Sequence, residues 1–282
     1  MNEKIDIPGW KYYNHGVIPT CAPHEQPDLA PIKDGSIWNV RGRGMPVLAR
    51  WTTDWDCGYE TGWWYCIKDT SFNIAELKAK RRYEINKGKK NFDVCIIDPL
   101  EYISNLYDVQ IHAFDAYPAA HRPIITREKF DKDIKQWDKF LCYGAVGRED
   151  GVLRGYALLE KHDGWINFIV EKTHPAYEKQ GVNAAIVSKI VEDLESSLSS
   201  GFYICDGERN TLHETHFQDY LEKYFGFRKA YCKMHIAYNP KIKWLVKSVY
   251  PFRSLLKRMD YFGIAHKLNA VLKMEEIARE FG

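Results

Sequence analysis

Two acidic residues stand at the ends of short apolar runs, where a carboxyl group can exchange protons with a bound molecule. Glu171 lies near the end of Trp165–Thr173, and Asp206 follows the next short apolar run along the chain. Alternation predicts that Glu171 shares a side with Ile169 and Asn167, and burial on that side would raise the pKa of its carboxyl group. Asp206 projects from the carboxyl end of a strand, where sites in such sheets often gather.

Each carboxyl group also has a plain structural interpretation. Glu171 could be a surface residue paired with Lys172 or Lys179. The dipeptide Asp206-Gly207 is a common turn sequence. The sequence alone leaves these alternatives open.

Lysine and arginine are concentrated in residues 78–90, which hold seven of them against one acid, Glu84. A helix whose charges only face solvent usually carries both signs of charge. Because this segment carries mostly one sign, an anion-binding site is about as well supported as a simple solvated face. The anion would be a nucleotide, a tRNA or a lipid pyrophosphate. Lys80, Arg82 and Lys87 are the candidate anion-binding residues.

A second basic segment, residues 241–267, holds seven lysines and arginines against Asp260 alone. Trp244, Phe252 and several aliphatic residues are interleaved with them, which makes the segment amphipathic. Such a segment is compatible with peripheral contact with an anionic membrane surface. Packing of its apolar face on the protein core is the simpler interpretation.

Two histidines invite a test for a metal site. His213 and His216 lie three residues apart, one short of the zinc-protease spacing, and Cys205 is a conceivable third ligand. No fourth ligand stands at a recognisable spacing, so helix-cap and surface roles are favoured and no metal is expected. The sequence contains no P-loop, no GxGxxG motif and no Ser-His-Asp signature.

The second half of the chain predicts an ordered series of elements that would position these residues. Turn signals at Glu149–Gly151 and Asp163-Gly164 separate three strands. Gly181 then opens a helix with one apolar face, and a strand, a helix and a last strand follow. The predicted elements are strands Leu141–Glu149, Val152–His162 and Trp165–Thr173, a helix after Gly181, strand Phe202–Cys205, helix His213–Phe225 and strand Phe227–Tyr238. This order predicts an α/β (α+β) fold with a mixed sheet flanked by helices.

The first hundred residues indicate fewer elements. Prolines in Pro19–Pro31 suggest a long surface loop, and Ser36–Val40, Pro46–Thr52 and Thr61–Ile67 are predicted strands. No internal repeat is legible in the sequence.

The order of elements in the second half resembles the GNAT acyltransferase fold, which closes with an aromatic-rich helix running into Gly-Phe, here Tyr224–Phe227. The resemblance implies that acyl-CoA is a co-substrate, with no tightly bound cofactor. It also implies that backbone N–H groups of the glycine loop hold the pyrophosphate. The loop residues at those positions are Gln180, Gly181, Val182 and Asn183. Glu178 stands where the family has Arg or Gln, which favours an unusual donor or one other than CoA.

The resemblance also assigns catalytic roles. Acyl transfer to an amine needs a base, and GNAT folds often place a Glu on the strand before the glycine loop, which is Glu171 here. Asp206 would orient the amine. The family's acid is a tyrosine four residues before the glycine of Gly-Phe. Glu222 occupies that position here. The nearest tyrosines are Tyr220 and Tyr224, of which Tyr224 is the candidate.

A basic helix in residues 74–90, followed by a strand, is similar to the FemAB-like group of tandem GNAT proteins. This resemblance implies a degenerate first half (1–99), a GNAT-like half (100–240) and a basic helical tail (241–282). It implies transfer of an acyl or aminoacyl group to an amine, a small molecule or a bacterial cell-envelope precursor, with aminoacyl-tRNA as the alternative donor. A GNAT-like module that binds a ligand or partner without catalysis is the alternative function.

Composition points to a globular protein in a reducing compartment. The 282 residues are 45% hydrophobic, and the net charge is +2. No apolar run approaches the roughly 18 residues that a membrane span needs, and the polar start of the chain shows no secretory signal. Seven scattered cysteines without a CxxC pair favour free thiols. We therefore expect the cytoplasm, with contact at the inner face of the membrane as an extension.

Overall fold

The computed structural model describes residues 7–40, 44–115, 117, 122–198, 200–209, 216–257 and 263–280. The chain forms two compact units. Unit 1 consists of Met1–Tyr65, Glu208–Thr215 and Lys229–Gly282, and unit 2 of Cys66–Gly207 and His216–Arg228. These units divide the chain differently from the expected ranges 1–99 and 100–240, and a degenerate first half stays a prediction.

Strands and helices occur along the whole described chain. The strands are β1 Trp10–Tyr13, β2 Gly16–Pro19, β3 Leu48–Thr53, β4 Trp63–Lys68, β5 Phe92–Ile96, β6 Leu141–Gly147, β7 Leu153–Lys161, β8 Trp165–Thr173, β9 Tyr203–Glu208 and β10 Arg228–Tyr238. The helices are α1 Ala30–Lys33, α2 Ala79–Asn91, α3 Ile103–Asp115, α4 Arg127–Asp133, α5 Val182–Leu198, α6 His216–Phe225, α7 Pro240–Val249, α8 Arg253–Lys257 and α9 Gly263–Glu280.

The sheet of unit 2 has the order β9-β8-β7-β6-β5. Neighbouring strands from β5 to β8 are antiparallel, whereas β8 and β9 are parallel. The tight turns at Gly151 and Gly164 have positive φ angles of 68° and 74°, which glycine adopts without strain. The predicted series of strands and helices is confirmed, and so is the α/β class with a mixed sheet flanked by helices.

Helix α5 supplies much of the apolar cluster on one face of this sheet. Its predicted apolar face is buried at Val182, Ile186, Ile190 and Val191. Helix α6 adds Leu221 and Phe225 to the same cluster. On the other face, residues of α3 and α4 such as Leu106 and Phe130 form a second cluster with β6 and β7. Burial on both faces explains the near-continuous apolar runs in these strands.

A bulge in β8 changes which residues share a face. Opposite β7, Leu158 pairs with Val170 and Leu159 pairs with Phe168, so Ile169 is the extra residue. The expectation that Glu171 shares a side with Ile169 and Asn167 is therefore wrong. The inserted residue shifts the alternation by one, and Glu171 lies on the face of Phe168, toward α5 and α6.

Two glycines let α2 lie directly on the loop before α5. A β-carbon on Gly88 would overlap the carbonyl oxygen of Gly181 and would stand 3.0 Å from the backbone nitrogen of Ala185. Gly181 itself has φ of 86°, and a β-carbon there would stand 2.9 Å from the nitrogen of Gly88. Any side chain at either position would push the two backbones apart.

In unit 1, a β1–β2 hairpin is followed by β3, which is parallel to β2 and antiparallel to β10. The predicted strand Ser36–Val40 is wrong. Ser36–Asn39 is a 3-10 turn in which Ile37 is buried, and the Asp34 side chain accepts a hydrogen bond from the Ser36 N–H. This side chain–backbone hydrogen bond stabilises a turn in place of a strand.

The helices α7, α8 and α9 lie in the described C-terminal part of unit 1, and several apolar residues of this part are arranged differently from our expectation. In α7 the buried residue is Val246, whereas Trp244 and Leu245 are exposed, as are Phe252 and Leu255 beyond it. The expected packing of the segment's apolar face on the core therefore does not extend to these four exposed residues. Among the described residues, no helix combines the length and apolar character needed to cross a bilayer.

The contact between Gly88 and Gly181 gives a stability prediction. Alanine is favoured over glycine inside a helix by about 1 kcal/mol, so Gly88→Ala would stabilise an uncrowded helix. Overlap with the Gly181 carbonyl should reverse the sign and lower the free energy of unfolding by about 1–3 kcal/mol. Urea denaturation measures this. Asn86→Ala, at an exposed position of α2, is the matched control and should be neutral or slightly stabilising. A stabilised Gly88→Ala variant would contradict this packing.

Candidate active site

The site lies where β8 and β9 stop pairing. Their hydrogen-bonded register runs from Trp165 opposite Tyr203 to Asn167 opposite Cys205. Both strands continue beyond the last pair, but they no longer form hydrogen bonds with each other. Glu171 and Asp206 stand on these continuations, and the register places both on the sheet face that α5 and α6 cover. The two acidic residues predicted from the sequence thus come together.

Glu171 presents a buried carboxyl group. Both of its carboxyl oxygens are shielded from solvent and have no hydrogen-bond partner among the described residues. Burial raises the pKa of Glu171 well above its usual range, and the nearby Asp206 raises it further, whereas Lys172 opposes both. Burial therefore favours the protonated form of Glu171, because a lone carboxylate there would lose its hydration without compensation.

Asp206 is the carboxyl group of the pair that ionises near neutrality. Burial raises the pKa of Asp206 from 3.8 to about 7, against the effect of a hydrogen bond from Gln218 of α6. Once Asp206 is ionised, its charge keeps the proton on Glu171. Near pH 7 Asp206 therefore alternates between its neutral and ionised forms, so its carboxyl group can accept and return a proton there.

Helix α6 adds tyrosines to the carboxyl pair. Burial raises the pKa of Tyr220, and the charges of Glu171 and Tyr224 add to the effect. The Tyr220 and Tyr224 rings lie 4.9 Å apart, one helical turn from each other. The Arg81 guanidinium of α2 stands 5.9 Å from the Tyr224 ring centroid. Tyr224 is among the site residues that the sequence predicts, but Tyr220 and Arg81 are not. The i, i+4 spacing of the two tyrosines is the signal that could have found Tyr220.

The predicted basic residues of α2 have other contacts. Arg82 donates hydrogen bonds to the carbonyl oxygens of Ala75 and Leu77, which fixes the turn before the helix. Lys80 is exposed, and the Lys87 ammonium lies 5.9 Å from the ring centroid of the exposed Tyr83. Anion binding by Lys80, Arg82 and Lys87 stays a prediction.

The glycine loop packs on α2. The carbonyl oxygen of Gln180 accepts a hydrogen bond from the Asn91 side chain at 3.0 Å. Gly181 touches Gly88, and the Val182 side chain is buried in the core. Asn183 is half-buried. The close contact with α2 is thus sufficient to explain why residue 181 is glycine, and phosphate binding is not needed to explain it. Pyrophosphate binding by these four residues stays a prediction.

The structure describes only one member of the histidine pair considered from the sequence. His213 lies outside the described residues, and the exposed His216 faces Asp219 at 4.0 Å. A different cluster, Asp108, His112 and His174, has ligand atoms within 4.8 Å of one another.

Hydrogen bonding argues against a metal in that second cluster. His174 Nδ1 accepts the Ala176 N–H, so the neutral ring carries its proton on Nε2 and has no free lone pair. The His112 and His174 rings are stacked, with centroids 4.3 Å apart, so their ring planes do not converge on one point. The cluster does not fit a metal ion.

The raised pKa of Asp206 predicts a pH-dependent stability. Between about pH 4 and pH 7 the unfolded chain has lost this proton while the folded protein keeps it, so stability falls as the pH rises through this range. Asp206→Asn cannot titrate. Its free energy of unfolding relative to the natural protein should rise by up to ~4 kcal/mol from pH 4 to pH 7. Denaturant titrations at several pH values measure this. Asp163→Asn, at an exposed hairpin turn, should show no such trend. A constant difference for Asp206→Asn would show that Asp206 is not buried as a neutral acid.

No known family model and no curated protein matches the sequence, but solved structures resemble the fold. L-PGS from Bacillus licheniformis superposes with a TM-score of 0.50, covering 96% of this chain and 85% of that chain at 11% identity. FemX gives a TM-score of 0.47 at 8% identity, covering 65% of this chain and 63% of that chain. A GCN5-related N-acetyltransferase from Sphaerobacter thermophilus gives 0.37 at 13% identity, covering 68% and 59%. The chain thus shares a GNAT-like fold with L-PGS, which confirms the fold resemblance seen in the sequence.

Proposed function

We propose that the protein is an acyltransferase or aminoacyltransferase that forms an amide between an activated donor and an amine. The observation that carries the proposal is the buried carboxyl pair, Glu171 and Asp206, where β8 and β9 separate. An unpartnered buried acid costs stability, and such costs concentrate at functional sites. The structural neighbours support a transferase, since L-PGS is an aminoacyl-phosphatidylglycerol synthase.

Asp206 is the proposed general base. A base is most effective when its pKa lies near the working pH, and the pKa of Asp206 is about 7. The carboxylate takes a proton from the attacking amine as the nitrogen bonds to the donor's carbonyl carbon. This role differs from the sequence-based expectation, which gave it to Glu171. Burial favours the protonated form of Glu171, so we assign Glu171 the opposite role.

Glu171 and the tyrosines are the proposed proton donors. When the tetrahedral intermediate collapses, the bond from the carbonyl carbon to the leaving group breaks, and that group must take up a proton. The protonated Glu171 and the hydroxyl groups of Tyr220 and Tyr224 stand on the same side of the sheet. The proton that Asp206 received passes to the group that protonated the leaving group, and this transfer restores both the ionised Asp206 and the protonated donor.

The surroundings of the glycine loop favour aminoacyl-tRNA over acyl-CoA as the donor. The exposed Glu178 stands where the GNAT motif has Arg or Gln, and its carboxylate would repel a pyrophosphate. Backbone of α2 occupies the space beside Gly181. The acceptor amine would be a small molecule or a cell-envelope precursor, reached from the cytoplasm.

A thermal-shift measurement distinguishes the donors. CoA, acetyl-CoA, a long-chain acyl-CoA and charged tRNA are each added in large excess. A donor at about a hundred times its Kd should raise the Tm by roughly 2–4 °C. We expect a shift with charged tRNA and none with the CoA compounds. A shift with a CoA compound alone would overturn the choice of donor. If none of the compounds raises the Tm, a GNAT-like module that binds a ligand or partner without catalysis would be favoured.

Substitution of the two acids tests the chemistry. Asp206→Asn and Glu171→Gln keep the shape of each side chain but remove proton transfer, and each should lower kcat by about 100-fold or more. The rate of the natural protein should rise with pH through about 7, because Asp206 must be ionised to act as base. Asp163→Asn is the control and should retain full activity. Full activity in Asp206→Asn would remove Asp206 from the mechanism.

A further inference from the structure

A patch of exposed apolar side chains lies on the C-terminal helices of unit 1. The patch comprises Trp244 and Leu245 of α7, Phe252 of the 3-10 turn Tyr250–Phe252, and Leu255 of α8. Their exposed fractions are 77%, 52%, 63% and 60%. Single exposed apolar residues are ordinary on protein surfaces, but four within twelve consecutive positions mark an interaction surface.

The charge around this patch has a single sign. Residues 240–257 contain five lysines and arginines and no aspartate or glutamate. Arg253 and Lys257 each stand 3.7 Å from Glu276 of α9. Lys241, Lys243 and Lys247 are exposed and have no acidic partner within 4.0 Å in the described parts of the chain. A surface that covered the patch would therefore meet uncompensated positive charge.

We propose that this patch docks the protein on an anionic lipid bilayer. Apolar and aromatic side chains next to lysines are the composition of interfacial helices, which insert their apolar face at the level of the lipid headgroups. The indole ring of Trp244 suits that level because it combines an apolar body with one N–H donor. Each lysine near an anionic surface adds to the attraction.

A second copy of the chain fits the patch less well than a bilayer does. In a symmetric dimer the same patch faces itself, so Lys241, Lys243 and Lys247 would meet the partner's lysines. A stable interface also needs about 800 Å² from each partner, which helices of ten and five residues supply with difficulty. An anionic bilayer offers opposite charge and an apolar layer together.

Vesicle flotation tests the proposal with the full chain. The vesicles are phosphatidylcholine alone, or phosphatidylcholine with about one third phosphatidylglycerol. We expect binding to the anionic vesicles, at least about tenfold weaker binding to the neutral ones, and loss of binding as NaCl rises from about 0.05 M to about 0.5 M. Equal binding to both vesicles, or none to either, would overturn the proposal.

Matched variants identify the patch as the binding surface. The double variant Trp244→Ala, Phe252→Ala and the double variant Lys241→Gln, Lys243→Gln should each weaken binding by about tenfold. The controls are Ile124→Ala, at a position that is 90% exposed, and Lys132→Gln with Lys135→Gln, two exposed lysines. Loss of binding in the controls would place the surface elsewhere.

Sedimentation distinguishes the bilayer from a second copy. The natural protein should sediment as a monomer without vesicles, and so should the Trp244→Ala, Phe252→Ala variant. A dimer that this variant dissociates would show that the patch is covered by another chain. The donor and activity measurements do not depend on this surface, so the two proposals can fail separately.

Discussion

The candidate site depends on the place where hydrogen bonding between β8 and β9 ends. The two strands pair over three residues, from Trp165 to Asn167, and then both continue without each other. Beyond Asn167, β8 keeps its ladder with β7 but no longer pairs with β9. A fully paired β9 would continue the hydrogen-bonded ladder past this point. Glu171 and Asp206 both lie beyond the last pair, and their carboxyl groups interact there.

The bulge at Ile169 decides which face of the sheet receives Glu171. One extra residue in a strand shifts the alternation of every side chain that follows it. Without the bulge, Glu171 would project from the opposite face, toward α3 and α4. With it, the carboxyl group enters the side that holds Phe168 and the helices α5 and α6. The register shift therefore places a buried acid beside Asp206.

Burial of two acids is unfavourable by itself, and the surrounding core must offset it. The cluster around α5 is apolar and close-packed, with Val182, Ile186, Ile190 and Val191 fully buried. Helix α2 locks onto this cluster through the contact of Gly88 with Gly181. A rigid apolar wall keeps water away from the carboxyl groups, and this exclusion raises the pKa of both. Core packing and the chemistry of the site are thus linked.

Local sequence determined much of this protein. The turn residues Gly151 and Gly164, the apolar face of α5 and the glycine before it suffice to predict the order of elements and the GNAT-like fold, because their effects act within a few residues. The tertiary structure decided the rest. The face on which Glu171 lies is set by a register shift against β7. Asp206 and Tyr220 come close to Glu171 through contacts between segments that are distant in sequence. Trp244 is exposed because no other described part of the folded chain packs on it. The sequence places chemistry-bearing residues on elements, but a pKa depends on what surrounds a group in space, which only the folded chain defines.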